Sequence, residues 1–500
     1  MKTKQFRSLL LKDTTQLTYD KQEILKHYEE KEEKIVQLLD KFQDYEALMQ
    51  TIFINSHFFV SHFDEIQTWL ESKEFNKKFL SKLSLYPSLI DPKTADYNKL
   101  GADLAWDLNL PLNYTPKLVW MSIQSSGTMM NILATELLNK KRIYTFDNNA
   151  CGAWNADGFW DNTNRLYKFC LQHKPEIITV GFRNFKFFHL LLSDTKVAYI
   201  VRDPISLFRL AVNHVDNEAL KKGVTDFTLA MDWKKNDIFA KISYYGNKDK
   251  PDINRTVAFK DKGWFGFCFD FYKTVHVLEN LNITPFCLEF TQISPENAFH
   301  TYKKLQKLCG FHIEDEKTLQ NLLSHRINRF EGSLISLPVR LHAHEKHLEQ
   351  LKNDSFFEYE GGVDIFVSTH ALHPNKTEFI DLTKKIFQTR KLLFENIIIL
   401  VKRSQIHILE SNKELFTAVQ TWLHSYMDSF EENEKNIKEK LYDENQILEY
   451  LHNEKELALK LKESLDCCYK HIKEKYPHYL KKWKYYQKFE KLCHDLESTK

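Results

Sequence analysis

Lys117 to Leu138 reads KLVWMSIQSSGTMMNILATELL, and the change of pattern inside it decides the fold class. Leu118 to Ile123 is a short apolar run with one serine, as in a strand buried on both faces. Gln124-Ser125-Ser126-Gly127-Thr128 then breaks the run with small hydrogen-bonding residues. From Met129 the spacing turns helical, placing Met130, Leu133, Ala134 and Leu137 on one face. A strand, a tight turn and a helix make an anion site. The first helical amides have no partner inside the helix, the helix dipole favours negative charge, and the hydroxyls add donors. The GxxxxGK[ST] pattern of a Walker A loop is absent. The alternative is an ordinary strand-to-helix connection.

A second segment, Lys196 to His214, repeats the logic as KVAYIVRDPISLFRLAVNH. Val197 to Val201 is another buried-strand run, ending in Arg202-Asp203-Pro204 before a helical stretch. An arginine at the C-terminal end of a parallel strand can grip a phosphate with two hydrogen bonds.

These two segments resemble the signature elements of the nucleotide-dependent sulfotransferases. In that family a P-K-S-G-T loop holds the 5′ end of the sulfated nucleotide, and a strand ending R-[ND]-P supplies an arginine to its 3′-phosphate. Ile283 to Phe311, ITPFCLEFTQISPENAFHTYKKLQKLCGF, is similar to that family's closing strand, turn and helix. The resemblance implies that Ser125, Ser126, Gly127, Thr128 and Arg202 bind the donor. It also suggests that Arg326, Arg329 and Gly332 stand for the family's late R-K-G segment. The chain departs from the pattern at four places. Gln124 and Ser125 replace the loop Pro and Lys, Leu210 replaces a serine, and Gly181-Phe182-Arg183 replaces K-T-H with its basic histidine. A cation is a poor base, so Arg183 is expected to offset charge on the leaving phosphate. The general base is sought among His214, Asp147, His189 and Asp157. Leu100 to Leu112 and Trp483 to Cys493 (WKYYQKFEKLC) resemble an uncharacterised bacterial family, some of whose members are labelled sugar transferases.

The 500 residues carry 70 Lys+Arg against 68 Asp+Glu, a balance that argues against a nucleic-acid partner. Leu9 to Leu11 is too short for a secretory h-region, and the longest aliphatic run, Ile397 to Val401, cannot span a bilayer. The eight cysteines are scattered without a CxxC pair, which is the usage of reduced thiols and points to a cytoplasmic setting.

The expected fold is α/β: a parallel sheet flanked by helices, as in the sulfotransferase-like P-loop fold, with helical N- and C-terminal regions. Its strands fall near 118–123, 176–180, 197–201 and 283–290. The regions are 1–95, helical, with Ile24, Leu25, Tyr28, Ile35, Leu38, Leu39 and Phe42 at helical spacing; 96–372, the α/β domain; and 373–500, helical, with long antiparallel helices over 400–430 and 434–465. Val363 to Ser368 reads as a strand at a sheet edge. Asp147 to Asp161 has the amides, carboxylates and tryptophans of an acceptor loop, or is an irregular connection. His342, His344 and His347 read as surface histidines, because i and i+2 face together only on a strand; no metal is expected. The lysines and aromatics of 473–488 read as a helix that buries its rings and solvates its lysines.

The function expected is group transfer from a nucleotide-linked donor to a hydroxyl of a sugar, surface glycan or small molecule. In the favoured case the donor is 3′-phosphoadenosine 5′-phosphosulfate and the group is sulfuryl. One rival is a glycosyltransferase, although the sheet region has no Asp-x-Asp. The other is a non-catalytic nucleotide-binding or scaffolding protein that meets a partner through its helical flanks.

Overall fold

The computed structural model describes residues 6–8, 10, 21–123, 126–139, 164–215, 221, 223–233, 238–244, 248–254, 271–326, 332–349, 356–373 and 377–498. Among the described residues nine strands run in chain order: β1 (Leu118–Ser122), β2 (Ile177–Gly181), β3 (Val197–Val201), β4 (Asp226–Thr228), β5 (Phe286–Glu289), β6 (Val339–Ala343), β7 (Val363–Thr369), β8 (Phe379–Asp381) and β9 (Ile397–Lys402). The helices used below are α1 (Lys21–Lys41), α2 (Tyr97–Asp107), α3 (Thr128–Asn139), α4 (Pro204–Val212), α5 (Ala298–Cys309), α6 (Lys413–Lys438), α7 (Glu444–Asn453), α8 (Lys455–Cys468) and α9 (Lys484–Ser498). The fold is α/β, with a parallel four-stranded sheet flanked by helices and helical regions towards both ends.

That sheet has the order β2-β1-β3-β5 and contains all four strands expected of it. Every residue of β1, β2 and β3 is buried, which is why their sequences are continuous apolar runs. From β1 the chain moves to one side, to β2. From β3 it moves to the other side, towards β5. The reversal lies between β1 and β3, and open α/β sheets bind ligands at such a point, beyond the C-terminal strand ends.

The chain divides into two compact units, the first comprising Met1–Val119, Trp154–Val197 and Lys273–Phe286, the second the rest. In the first, α1 buries Ile24, Tyr28, Ile35, Leu38 and Leu39, the stripe its sequence predicts. The entry phrase after α2 is anchored by Asn109, in the left-handed region at φ +56. Its side-chain amide donates to Thr51 Oγ1 and the Pro87 carbonyl, both at 3.0 Å. Lys186 lies over the Trp106 ring at 4.6 Å, and burial pulls its ammonium down to about 8 against the raising influence of Asp107.

The second unit contains a five-stranded sheet that the sequence did not reveal, in the order β4-β6-β7-β9-β8. β4 and β6 are parallel; the other pairs are antiparallel. Val363 to Ser368 is therefore a central strand, not an edge: β7 pairs with β6 on one side and β9 on the other. Ile397 to Val401 is β9, so the C-terminal region is not helical throughout, and its long helix α6 begins only at Lys413. The helix expected over 434–465 is broken, because Asp443 caps a new start at α7 in a reciprocal box with Gln446. Leu341, Ile365, Val367, Ile399 and Val401 form a core with Trp422, Tyr426 and Phe430 of α6.

Ile365 is fully buried at the middle of this sheet. Ile365→Ala is expected to lower stability by about 2–5 kcal/mol, read as a shift of the urea midpoint. A shift below about 0.5 kcal/mol would return β7 to an edge.

Candidate functional site

The turn after β1 is built on one carbonyl. Ile123 O accepts from Ser126 N at 3.1 Å and from Thr128 Oγ1 at 2.9 Å, while Ser122 Oγ donates to Thr128 Oγ1 at 3.1 Å. The Thr128 proton thus closes the turn. Gly127 carries φ +80, and its carbonyl accepts from Asn131 N at 3.1 Å to begin α3. A β-carbon there would stand 2.2 Å from Ile293 Cδ1 and 3.5 Å from Ile200 Cδ1. Only glycine lets the turn lie this close to the ends of β3 and β5. Ser126, 2 % exposed, has a hydroxyl with no hydrogen-bond partner among the described residues. A buried hydroxyl left so costs about 1–3 kcal/mol. Tyr302 of α5 seats α3 from behind, its hydroxyl donating to Asn131 Oδ1 at 3.1 Å. Gln124 and Ser125 lie outside the described residues.

At the end of β3, the Arg202 guanidinium lies over the Phe290 ring at 4.2 Å, beside the segment that carries Ile293. Burial, and then the like charge of Arg209, press it down to about 10, which leaves it cationic at neutral pH. Arg209 sits seven residues on, in the last turn of α4. It pairs with Glu444 at 3.3 Å, and Ser206 Oγ donates to the same carboxylate oxygen at 2.9 Å. Asp203 caps two helices at once. Oδ1 accepts from Ile205 N of α4 at 2.9 Å, and Oδ2 accepts from Tyr485 N and Tyr486 N of α9 at 2.9 and 3.2 Å. Burial pushes the Asp203 carboxyl up, and these amides pull the other way. Trp483 Nε1 donates to Glu289 Oε1 at 3.3 Å, and Tyr479 OH to the Cys287 carbonyl at 3.0 Å. In 473–488, Tyr479, Trp483 and Tyr486 are buried, Tyr476 and Tyr485 half-buried, and Lys481, Lys482, Lys484 and Lys488 exposed, so the pattern predicts most of what is seen.

Ser126, Gly127 and Thr128 of the turn, and Arg202, thus lie at the C-terminal ends of the neighbouring strands β1 and β3, where the sheet order reverses. His214 follows the far end of α4. A nine-residue helix rises about 13 Å, so His214 is carried along α4 away from Arg202, and its ring is half-buried. Arg326 is exposed, and its carbonyl is tied to Asn396, next to β9, at 3.0 Å. Arg183 belongs to the first unit, its guanidinium 5.8 Å from the Phe182 ring. His189, in the same unit, packs against Tyr86 at 5.0 Å, and burial pulls it down to about 4. Asp147, Asp157 and Arg329 lie outside the described residues. His342 and His347 are buried, which corrects the surface reading of the histidine run. Asp203, Arg209 and Glu444 were missed; Asp203 directly before Pro204 is a local helix-start signal, and nothing local points to Glu444.

Gly127→Ala is expected to lower stability by at least about 1–2 kcal/mol from the left-handed backbone alone, with the Ile293 clash added. Asp203→Ala removes caps from α4 and α9, each about 0.5–2 kcal/mol; Asp203→Asn, which keeps one carbonyl oxygen, is expected to lose less. Urea unfolding of the three variants checks both statements. Equal stability of Asp203→Ala and the parent would remove the double cap.

The family described as Protein of unknown function (DUF2972) matches residues 287–496, from the second residue of β5 into α9. No curated protein and no solved structure matches the chain. No helix among the described residues is long and apolar enough to cross a membrane.

Proposed function

We propose that the turn Ser125–Thr128 and Arg202 bind the phosphates of a nucleotide-linked donor, from which a group passes to a hydroxyl of a sugar or glycan. The observation that carries this reading is Ser126: a buried hydroxyl without a partner, at the head of α3, beside a strand end that bears an arginine. A phosphate oxygen would satisfy that hydroxyl, meet the first amides of α3 and lie at the positive end of its dipole. In the favoured case the group is sulfuryl. The acceptor oxygen then bonds to sulfur and gives up its proton to solvent water, as the bond from sulfur to the donor's phosphate oxygen breaks and the electron pair stays on that phosphate. The α3 amides would stabilise the charge that builds there, and Arg202 would hold the second phosphate. A second reading, nucleotide binding without transfer, is favoured by the Thr128 proton, which is committed to Ile123, and by the serine at the loop-lysine position 125.

Ser126→Ala separates a ligand group from a structural one. Removing an unsatisfied buried hydroxyl is expected to leave the ligand-free protein as stable as the parent or more so, while weakening nucleotide binding. A thermal-shift panel of 3′-phosphoadenosine 5′-phosphosulfate, 3′,5′-bisphosphoadenosine and nucleotide sugars is the measurement. A ligand at about 100 times its Kd should stabilise the parent by about 2.7 kcal/mol. Arg202→Ala is expected to weaken binding by about 1.5–3 kcal/mol, and Arg202→Lys to restore only part, because an ammonium lacks the planar fork. A parent that none of these nucleotides stabilises would end the reading. Turnover of the sulfated donor with a glycan acceptor, against binding alone, decides between transfer and the second reading.

A further inference from the structure

The five-stranded sheet carries a cluster of side chains outside the proposed nucleotide site. His342 on β6 stands directly opposite Asp364 on β7 in the antiparallel register, and Asp226 on β4 stands opposite Arg340. Arg340 and His342 are two residues apart on one strand and so share a face. Glu358, from the segment before β7, completes the group.

His342 is 3 % exposed, and both its ring nitrogens meet oxygens. Nε2 lies 3.0 Å from the Tyr359 carbonyl, which can only accept, so Nε2 carries a hydrogen. Nδ1 then faces Asp364 Oδ1 at 3.0 Å and Glu358 Oε1 at 3.9 Å. A ring lone pair against two carboxylates requires a positive species among them: a second ring proton or a metal cation. Three carboxylates, Asp226, Glu358 and Asp364, are balanced by one guanidinium. Arg340 reaches Asp226 at 2.8 Å, Glu358 at 3.3 Å and Asp364 at 3.6 Å. With neutral imidazole, two negative charges remain, the charge of one dication.

We infer that His342 Nδ1, Asp364 and Glu358 form a binding site for a transition-metal dication of the zinc or manganese class, independent of the nucleotide reading. The three ligand atoms lie within 4.8 Å of one another. Donors around tetrahedral zinc stand roughly 3.3 Å apart, so the His342–Asp364 edge already fits and Glu358 has to close by at most about 1.5 Å. The Nε2–H bond to a backbone carbonyl is the support that fixes the tautomer and orientation of a metal-ligating histidine. Gly362 makes room for it, since a β-carbon there would stand 2.4 Å from the His342 Cε1. Arg340 orients both carboxylates, and its charge lowers affinity. Imidazole with carboxylates selects a borderline metal over magnesium, and three protein ligands leave a position open to water on the exposed Glu358 side.

The other two histidines of the run do not join the site. His344 Nδ1 accepts from Lys346 N, His347 Nδ1 accepts from His344 N, and His347 Nε2 donates to the Phe357 carbonyl at 2.9 Å.

The test is calorimetric titration of the chelator-treated full chain with zinc, manganese and magnesium chlorides. Expected are one zinc per chain, magnesium at least about 100-fold weaker, and zinc affinity lowered at least about tenfold in Glu358→Gln and abolished in His342→Ala. Glu358 is exposed, so Glu358→Gln keeps the test readable if His342→Ala fails to fold. No zinc or manganese binding by the parent, unchanged zinc affinity in Glu358→Gln, or magnesium binding as tight as zinc would each overturn the site; the first would leave a protonated His342 paired with Asp364.

Discussion

One carboxylate holds the C-terminal edge of the parallel sheet together. Asp203 ends β3, caps the helix that follows, and caps a second helix that begins 281 residues later in the sequence. A helix start leaves amides without partners, and burying them unsatisfied is costly. Joining two such starts at one side chain answers both and fixes the direction in which each helix leaves the sheet. Trp483 and Tyr479 then add indole and phenol bonds to the end of β5. The C-terminal helices are thus structural neighbours of the strand ends.

This explains which parts of the fold could be read in advance. The runs at 118–122, 177–181 and 197–201 are legible because all their residues are buried, so local composition alone marks them. In β7, Val363, Ile365 and Val367 point into the core while Asp364 and Phe366 stay partly exposed, and that alternation marks a strand. What alternation cannot say is which strands lie beside it, because pairing is set by residues far along the chain. Ile397 to Val401 failed for a related reason: an apolar run of five or six residues has no period that separates a strand from the start of a helix.

The candidate site divides in the same way. Ser126, Gly127 and Arg202 were visible because a strand, a turn and a helix meet within a few residues. Asp203 looked like a mere helix start, its second role depending on Tyr485 and Tyr486. The histidine run holds one residue of the sheet cluster, His342, and two that do not join it. His342 is paired through strand register with Asp364, and His344 and His347 serve the backbone turn beside it.

The electrostatics at the reversal point follow from these commitments. Both Asp203 oxygens are held by backbone amides, and Glu444 is engaged by Arg209 and Ser206. These carboxylates raise the Arg202 pKa, but burial and the charge of Arg209 outweigh them, so the guanidinium sits in surroundings that disfavour its charge. Removing that cation would relieve the strain, and so would bringing in an anion. A multiply charged phosphate does the second while giving the Ser126 hydroxyl a partner. Two separate costs of the ligand-free state, an unsatisfied hydroxyl and a disfavoured cation, are then met by one chemical group at one place. Neither cost alone identifies a site, since buried orphans and shifted arginines also occur in purely structural settings. Their occurrence at the C-terminal ends of neighbouring strands of a parallel sheet is what supports the proposed phosphate reading.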